Sequence, residues 1–254
     1  MNSTLRHHEL TEGARPAAEN SEAEAAAHVR ELFGSIAPTY DRLNHLLSFG
    51  LDRRWWRRTA STFSAILARP DASVLDICCG TGDMTAALLA RRPASAEPVT
   101  GLDFSSEMLA LAHSKYPGEN VRWIEGDAMA LPFPDNSFDL VTSAFGFRNL
   151  TNYAAGLTEI HRVLRPGGSI GILECNQPAG LSGTFYNLYF HRILPLVGGW
   201  LSGERTAYDY LPASVRRFPR PPRMLQLMKE AGFTDCAWDG YLLRAAGLYR
   251  GNKA

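Results

Sequence analysis

The chain contains 254 residues, 45% of them hydrophobic, and its 26 basic and 26 acidic side chains give a formal net charge of zero. This length suits one large α/β domain or two small ones, and the composition allows a sizeable core. The balanced charge argues against a nucleic-acid-binding surface, which would be basic. No run reaches the roughly 18 apolar residues of a membrane span. The first residues also lack the apolar segment of a secretory signal.

The N-terminal part of the chain is predicted to be helical after a polar start. Residues 1–27 have the composition of a mobile polar tail. Apolar residues at helical spacing predict a helix over Val29–Ala37, which Pro38 should end. A further helical run extends to about Leu67. We therefore expect a helical N-terminal arm over residues 28–69.

Strands and helices alternate in the rest of the chain, which we interpret as one domain over residues 28–254. This alternation predicts a doubly wound, mostly parallel α/β sheet, with ligands at the carboxyl ends of its strands. An apolar insertion at 176–218 interrupts the pattern and is too long for an ordinary loop, so it could form a lid or substrate segment. The seven strand-like runs are SVLDICC, EPVTGLDF, NVRWIEGD, FDLVTSAFGF, SIGILEC, TDCAWDGY and AAGLYRGNK.

The cysteines predict neither disulfides nor a metal site. Cys78 and Cys79 are adjacent, which suits neither an ordinary disulfide nor a C-x-x-C metal clip. Cys175 and Cys236 stand alone in the sequence. We expect small buried thiols in a reducing compartment, and therefore a cytoplasmic protein.

The stretch VLDICCGTGD places a glycine-rich turn between a strand and a helix. Such a turn presents free backbone N–H groups and the positive end of the helix dipole. Gly80 and Gly82 match the first two glycines of the dinucleotide fingerprint, but the third glycine position is Thr85. This departure argues against an NAD-dependent oxidoreductase.

Acidic residues end the first three strands of the predicted sheet. Asp76 ends the first strand, Asp103 the second, and Asp127 follows the third. An acid at the position of Asp103 suits the two hydroxyls of a ribose, and Asp127 could accept from an adenine amino group. Three acids around one turn favour a positively charged nucleoside without phosphates. The alternative is that Asp103 and Asp127 only cap the helices that follow them.

This pattern over residues 70–175 resembles the class I S-adenosylmethionine-dependent methyltransferases. Four segments further resemble the ubiquinone/menaquinone biosynthesis C-methyltransferase family, namely YDRLNHLLS, AFGFRNL, RVLRPGGSIGILEC and LYRGNK. The resemblance implies a Rossmann-like sheet of seven strands with a helical insertion before the last two. It also implies S-adenosyl-L-methionine as cofactor and no metal.

By resemblance, the cofactor contacts are the turn, the strand-end acids and their neighbours. Asp103 would bind the ribose, and Asp127 with Ala128 would bind the adenine. The family often has a serine where this chain has Ala144, and Ser143 lies one place earlier. The chain also departs from the pattern with Asp52 in place of a histidine and Cys78 in place of a glycine. The remaining candidate contacts are Asp76, Gly80, Thr81, Gly82 and Ser143.

The implied reaction is methylation of a ring carbon of a polyprenylated hydroquinone. The preferred substrate is demethylmenaquinol; a benzoquinol of ubiquinone biosynthesis, or another small molecule, remains open, as does a non-catalytic binding module. The candidate catalytic residues are Arg148, which would stabilise a phenolate, Asn149, which would orient a ring oxygen, and Tyr40, which would close over the site. In the alternative, Arg148 pairs with an acid, Asn149 caps a helix and Tyr40 packs the arm.

A polyprenyl substrate resides in the bilayer, so we expect transient contact with the inner face of the cytoplasmic membrane. The segment RRWWRR at residues 53–58 joins tryptophan to arginine, a composition found at lipid interfaces. The apolar segment at 185–200 could line a prenyl channel, or it could bury itself in a homodimer. We expect no nucleic-acid partner.

Overall fold

The computed structural model describes residues 11–15, 21–48, 50–178 and 205–254. The described helices are α1 (Glu22–Leu47), α2 (Asp52–Thr62), α3 (Ser64–Leu67), α4 (Asp83–Leu89), α5 (Ser106–Lys115), α6 (Tyr153–Val163), α7 (Arg205–Arg217) and α8 (Pro221–Glu230). The strands are β1 (Val74–Ile77), β2 (Val99–Asp103), β3 (Val121–Glu125), β4 (Phe138–Ala144), β5 (Leu164–Cys175), β6 (Phe233–Tyr241) and β7 (Ala246–Lys253).

The strands form one seven-stranded sheet in the order β3-β2-β1-β4-β5-β7-β6. Neighbouring strands from β3 to β5 run parallel, and β7 pairs antiparallel with both β5 and β6. The chain order reverses at β1 and β4, so a crevice opens beyond the carboxyl ends of these strands. The predicted doubly wound, mostly parallel sheet is confirmed.

Helices cover both faces of the sheet, which explains the nearly continuous apolar strands. All residues of β1 and β2 are buried, as expected for strands buried on both faces. On one face α6 and α8 pack against the sheet through Leu157, Ile160 and Met224. On the other face α2, α3 and α4 pack against it, with Trp56 and Leu88 among the buried side chains.

Helix α1 is longer than the sequence predicts. The expectation that Pro38 ends the first helix is wrong, because α1 continues through this residue to Leu47. An interior proline removes one backbone hydrogen bond and crowds the carbonyl four residues earlier. Burial can offset that cost. Val29, Leu32 and Phe33 of α1 are buried against Met108 of α5.

Part of the predicted N-terminal tail contacts the core. The Ala14 amide donates to the Leu150 carbonyl at 2.7 Å, and the Tyr153 amide donates to the Glu12 carbonyl at 2.9 Å. The Arg15 guanidinium donates to the Thr151 carbonyl at 2.8 Å. Residues 11–15 therefore pack against the segment that follows β4. The mobility of the tail as a whole stays a prediction.

The described residues also include the start of β5 and the end of the predicted insertion. Strand β5 begins at Leu164, directly after α6, so Pro166 and Gly167 lie within the strand. Helix α7 forms the described end of the predicted insertion at 176–218. The apolar segment at 185–200 lies outside the described residues. Among the helices that the structure describes, none is long and apolar enough to cross a membrane.

The contact between β5 and the end of α2 provides a test of the packing. A Cβ at Gly171 would lie 2.5 Å from the Phe63 ring, so Gly171→Ala must displace this ring. We expect a loss of about 1–3 kcal/mol in the free energy of unfolding, measured by urea denaturation. Gly34→Ala in α1 is the control, since its nearest neighbour is 3.7 Å away and no loss is expected. An equal effect of both substitutions would contradict this account.

Candidate active site

A cavity of about 580 Å³ lies at the carboxyl ends of the central strands. The turn after β1 and the segments after β2, β3 and β4 form its floor, and residues 23–33 of α1 form the opposite wall. Asp103, Asp127, Ala128 and Asn149 line the cavity together with Gly80. The structure thus places five of the predicted site residues around one space of the size of a small-molecule site.

The glycine turn adopts a backbone conformation that few residues tolerate. Cys78, Gly80 and Gly82 have φ values of 51°, 53° and 87°, all in the left-handed region. A Cβ at Gly82 would also lie 2.6 Å from the Trp123 ring. Glycine at position 82 is therefore required by both backbone conformation and packing.

A second close approach holds this turn against the segment after β4. A Cβ at Gly146 would lie 2.4 Å from the Cβ of Cys78. Burial raises the pKa of the Cys78 and Cys79 thiols well above the ordinary value. Both thiols therefore stay neutral. Cys79 is buried as predicted, whereas Cys78 is half-buried and lines the main cavity.

Asp76 lies behind the turn and does not line the main cavity. Its carboxylate accepts a hydrogen bond of 2.7 Å from the hydroxyl of Thr85 in α4 and another of 2.7 Å from the hydroxyl of Thr142 in β4. The residue is fully buried, and this burial raises its pKa to about 7. Asp76 therefore joins β1, α4 and β4 beneath the turn.

Asp103 connects the end of β2 to the glycine turn. One carboxylate oxygen accepts from the Gly80 amide at 2.8 Å, and the other accepts from the Ser105 amide at 3.0 Å. Only 5% of Asp103 is exposed, and burial raises its pKa to about 6. Because each carboxylate oxygen can accept two hydrogen bonds, the residue keeps acceptor capacity towards the cavity.

Asp127 and Ala128 form the wall of the cavity beyond β3. One oxygen of the exposed Asp127 carboxylate accepts from the Met129 amide at 2.8 Å. Ala128 is buried and contributes an apolar surface. This combination of an acceptor and a small apolar residue suits the edge and face of a heterocyclic ring.

Thr81 and Ser143 are buried outside the main cavity. Thr81 borders a small cavity of about 30 Å³ on the other side of the turn, together with Asp76 and Trp56. Ser143 is 1% exposed, and its hydroxyl has no hydrogen-bond partner within the described part of the chain. The structure therefore separates these two candidates from the residues that face the main cavity.

Arg148 forms a buried ion pair next to the cavity. Its Nη1 lies 3.2 Å from each oxygen of Glu174, the fully buried acid near the end of β5, and its Nε donates to the Ser214 hydroxyl at 3.3 Å. Burial raises the pKa of Glu174. The alternative that Arg148 pairs with an acid is thus seen in the structure, and its neighbour Asn149 reaches the cavity.

Asn149 is held by a residue that the sequence analysis did not select. The hydroxyl of Tyr210 in α7 donates to the Asn149 side-chain oxygen at 2.9 Å. The Tyr210 ring also makes an edge contact with Phe33 of α1, with centroids 6.2 Å apart. No motif marks Tyr210, because it lies far from the strand ends in sequence. The cap of α6 is Asn152 and not Asn149.

Residues of the N-terminal arm approach the site, but not all of them are described. The wall over the cavity comes from the first half of α1, including Ala26 and Phe33. Tyr40 belongs to the later part of this helix. Its side chain lies outside the described residues, so its predicted position over the site stays a prediction.

Comparison with known proteins places these features in a family. A family model described as the ubiE/COQ5 methyltransferase family matches residues 20–253. A demethylmenaquinone methyltransferase of Deinococcus radiodurans is 45% identical over 89% of this chain and 92% of the relative. A demethylmenaquinone methyltransferase of Thermus thermophilus is 47% identical over 80% of this chain and 91% of the relative. A ubiquinone/menaquinone biosynthesis C-methyltransferase of Geobacter sulfurreducens is 40% identical over 91% of this chain and 90% of the relative.

Solved structures support the fold. A methyltransferase from Haloferax volcanii, solved with its Trm112 activator, has a TM-score of 0.61 at 20% identity and covers 87% of this chain and 96% of that chain. A methyltransferase from Thermotoga maritima has a TM-score of 0.60 at 20% identity, and the match covers 89% of this chain and 100% of that chain. At these identities the likeness concerns the fold alone.

The residues around the cavity suit the cofactor of such enzymes. The space is large enough for a nucleoside with an amino-acid tail, and its acids, Asp103 and Asp127, complement hydroxyl and amino donors. The turn offers backbone groups but no cationic side chain for a phosphate. S-adenosylmethionine, a cation without phosphates, matches these groups, and the predicted cofactor is confirmed. The chain belongs to the ubiE/COQ5 methyltransferase family and is an S-adenosylmethionine-dependent C-methyltransferase.

Proposed function

We propose that the protein methylates a ring carbon of demethylmenaquinol, a polyprenylated naphthohydroquinone, and so forms menaquinol. The observation that carries this proposal is the identity of 45% and 47% to two demethylmenaquinone methyltransferases over most of both chains. A transient contact with the inner face of the cytoplasmic membrane belongs to the proposal, because the substrate is a lipid. Self-association as a homodimer remains compatible with it.

The cofactor contacts follow from the side chains that face the cavity. Asp103 accepts hydrogen bonds from the ribose hydroxyls, and Asp127 accepts one from the adenine amino group. Ala128 packs against the base. Gly80 contributes the backbone of the turn. The buried members of the set, Asp76, Thr81, Gly82 and Ser143, support the turn and the strand ends from behind.

The bound cofactor supplies an electrophilic methyl group on a sulfonium. That methyl group would pass to the ring carbon, whose hydrogen would leave as a proton, and the sulfur would keep the electron pair of the broken carbon–sulfur bond. Ionisation of a neighbouring hydroxyl makes the ring carbon nucleophilic. The protein must hold the reacting carbons roughly 3–3.5 Å apart and stabilise the phenolate.

We assign the acceptor side of the site to Asn149 and Arg148. Tyr210 binds the Asn149 oxygen, so the amide NH₂ is the end that can donate to a ring oxygen. Arg148 holds its charge next to Asn149 in a buried setting, where a low dielectric strengthens its effect on a phenolate. Its ion pair with Glu174 offsets part of this charge and fixes the guanidinium. Tyr40 remains a candidate for closure of the site.

A transfer assay tests the function directly. The protein, supplied with methyl-labelled S-adenosylmethionine, should label reduced demethylmenaquinol and should act much more slowly on a polyprenyl benzoquinol. The two rings should carry the same prenyl chain, so that only the ring differs. Equal rates on both rings would contradict the naphthoquinol preference. Transfer to neither ring, with intact cofactor binding, would refute the proposed substrate class.

The cofactor role of Asp103 gives a second prediction. Asp103→Ala should weaken S-adenosylmethionine binding by about 1.5–3 kcal/mol, the scale of hydrogen bonds to a charged group, as measured by isothermal titration. Ser105→Ala is the control. It removes the side-chain cap of α5, whose Ser105 oxygen accepts from the Met108 amide, and should cost about 1 kcal/mol of stability without changing the dissociation constant. An unchanged constant in Asp103→Ala would leave Asp103 as a structural cap only.

The protonation of Asp103 should also appear in the pH dependence of binding. Because burial raises its pKa to about 6, the carboxylate takes up a proton as the pH falls through about 6 and loses acceptor strength. Cofactor affinity should therefore decrease as the pH falls through this window and stay level above it. The same titration of Asp103→Ala should lack this step. A step of equal size in the variant would assign the pH dependence to another group.

Arg148 gives a prediction about the chemical step. Arg148→Lys keeps the positive charge but loses the planar fork that contacts Glu174 and Ser214, so kcat should fall roughly tenfold or more. The defect should shrink as the pH rises towards the pKa of the substrate hydroxyl, since the substrate then ionises unaided. Arg162→Lys is the matched control, because Arg162 pairs with Glu159 away from the cavity. A loss of kcat that does not change with pH would mean that Arg148 only holds the segment after β4 in place.

A further inference from the structure

Two leucines at the tip of the β6–β7 connection are exposed to an unusual degree. Leu242 is 52% and Leu243 is 76% exposed, and they are the exposed large hydrophobic side chains of the described residues. They belong to a short 3-10 turn that also includes the exposed Arg244. We call residues 242–244 the leucine turn. Two adjacent exposed leucines form a contiguous apolar patch, and such patches are candidates for contact with a partner or a membrane.

The backbone of the leucine turn strengthens this argument. The φ values of Leu242, Leu243 and Arg244 are 38°, 51° and 70°, all in the left-handed region that glycine or asparagine adopts at lower cost. A turn that only had to connect two strands would be more stable with such residues. The connection thus holds two leucines at its exposed tip in a backbone conformation that is unfavourable for them.

The leucine turn lies at the same edge of the sheet as the main cavity. Ala246, the first residue of β7, pairs with Cys175, the last residue of β5. Cys175 marks the carboxyl end of a strand that is parallel to β4 and β1. The leucine turn therefore lies at the carboxyl edge of the sheet, next to the end of β5, and the cavity lies at the same edge.

A basic surface borders the leucine turn. Arg53, Arg54, Arg57 and Arg58 of α2 are all exposed, and within the described part of the chain none lies within ion-pair distance of a carboxylate. We call them the arginine face of α2. Of the two tryptophans between them, Trp56 is buried in the core, and Trp55 packs against Phe145 after β4 with ring centroids 6.0 Å apart.

Direct contacts join the arginine face to the leucine turn. The Arg58 guanidinium lies 4.3 Å from the centre of the Tyr241 ring, and Tyr241 directly precedes the leucine turn. The hydroxyls of Thr59 and Tyr241 are 3.5 Å apart. Arg244 lies over the ring of Trp238 at 5.5 Å. The two features therefore form one surface with an apolar tip and five exposed arginines.

We propose that this surface docks the protein on an anionic lipid bilayer, with Leu242 and Leu243 inserted between headgroups and the arginines on lipid phosphates. An apolar tip next to exposed basic side chains is the combination that binds an anionic interface. The overall net charge is zero, so the attraction is local to this face. The inference deepens the proposed function and rests on it for the lipid substrate. Docking through this surface would turn the carboxyl edge of the sheet, where the cavity lies, towards the membrane.

Vesicle co-sedimentation without cofactor or quinone tests this surface independently of catalysis. Wild-type protein should bind phosphatidylglycerol-containing vesicles at low salt, bind pure phosphatidylcholine weakly, and release largely at high salt. Leu242→Ser/Leu243→Ser and Arg54→Gln/Arg57→Gln should each lower binding to the anionic vesicles about tenfold. The control is Arg91→Gln/Arg122→Gln, which removes one exposed arginine after α4 and one on β3, both outside the proposed docking surface, and should bind as wild type.

Further measurements distinguish lipid docking from a folding defect and from self-association. Circular dichroism and the rate on a short-chain quinol in solution should be unchanged in both surface variants, whereas the rate on long-chain quinol in vesicles should fall with binding. Wild-type vesicle binding by both variants would overturn the proposal. A shift from dimer to monomer on replacing the leucines, seen by sedimentation velocity, would also overturn it and assign the face to a second copy of the chain. Loss of transfer with intact vesicle binding would refute only the proposed function.

Discussion

The hydrogen bond from the Gly80 amide to the Asp103 carboxylate is the contact on which the site geometry depends. It fixes the turn after β1 relative to the end of β2 while both line the same cavity. The left-handed backbone at Cys78, Gly80 and Gly82 then directs the turn into α4. A neighbouring backbone hydrogen bond, from the Cys79 amide to the Leu102 carbonyl at 3.1 Å, acts with this contact to hold the turn in register with the strand that carries Asp103.

Two buried carboxylates determine the electrostatics behind the cavity. Burial raises the pKa of Asp76 to about 7 and that of Asp103 to about 6, and hydrogen-bond donors oppose both shifts. An acid whose pKa is raised in the fold binds its proton more readily there than in the unfolded chain. These two groups therefore favour the folded state as the pH falls from about 7 towards 4, the reverse of a salt-bridged acid. A cationic cofactor near Asp103 would favour its ionised form again, so ligand binding and stability are coupled through this residue.

The sequence predicted what depends on local pattern and missed what depends on distant contacts. The alternating apolar runs, with acidic residues at their ends, were sufficient to predict the sheet, the glycine turn and the positions of Asp103 and Asp127. The proline rule failed at Pro38 because burial of α1 opposes the local preference. Tyr210 lies far from the strand ends in sequence, and no spacing rule selects it. The sequence allowed Arg148 an acidic partner but did not identify Glu174 as that acid. The same holds for the leucine turn, whose exposure only the fold reveals.

The arrangement of α2 links the core, the site and the surface. Trp56 and Phe63 anchor the helix in the core beneath the sheet, whereas Trp55 contacts Phe145 in the segment that leads to Arg148 and Asn149. The exposed side of the same helix carries the arginine face. The Trp55–Phe145 contact therefore joins the helix that carries the arginine face to the segment that precedes Arg148 and Asn149.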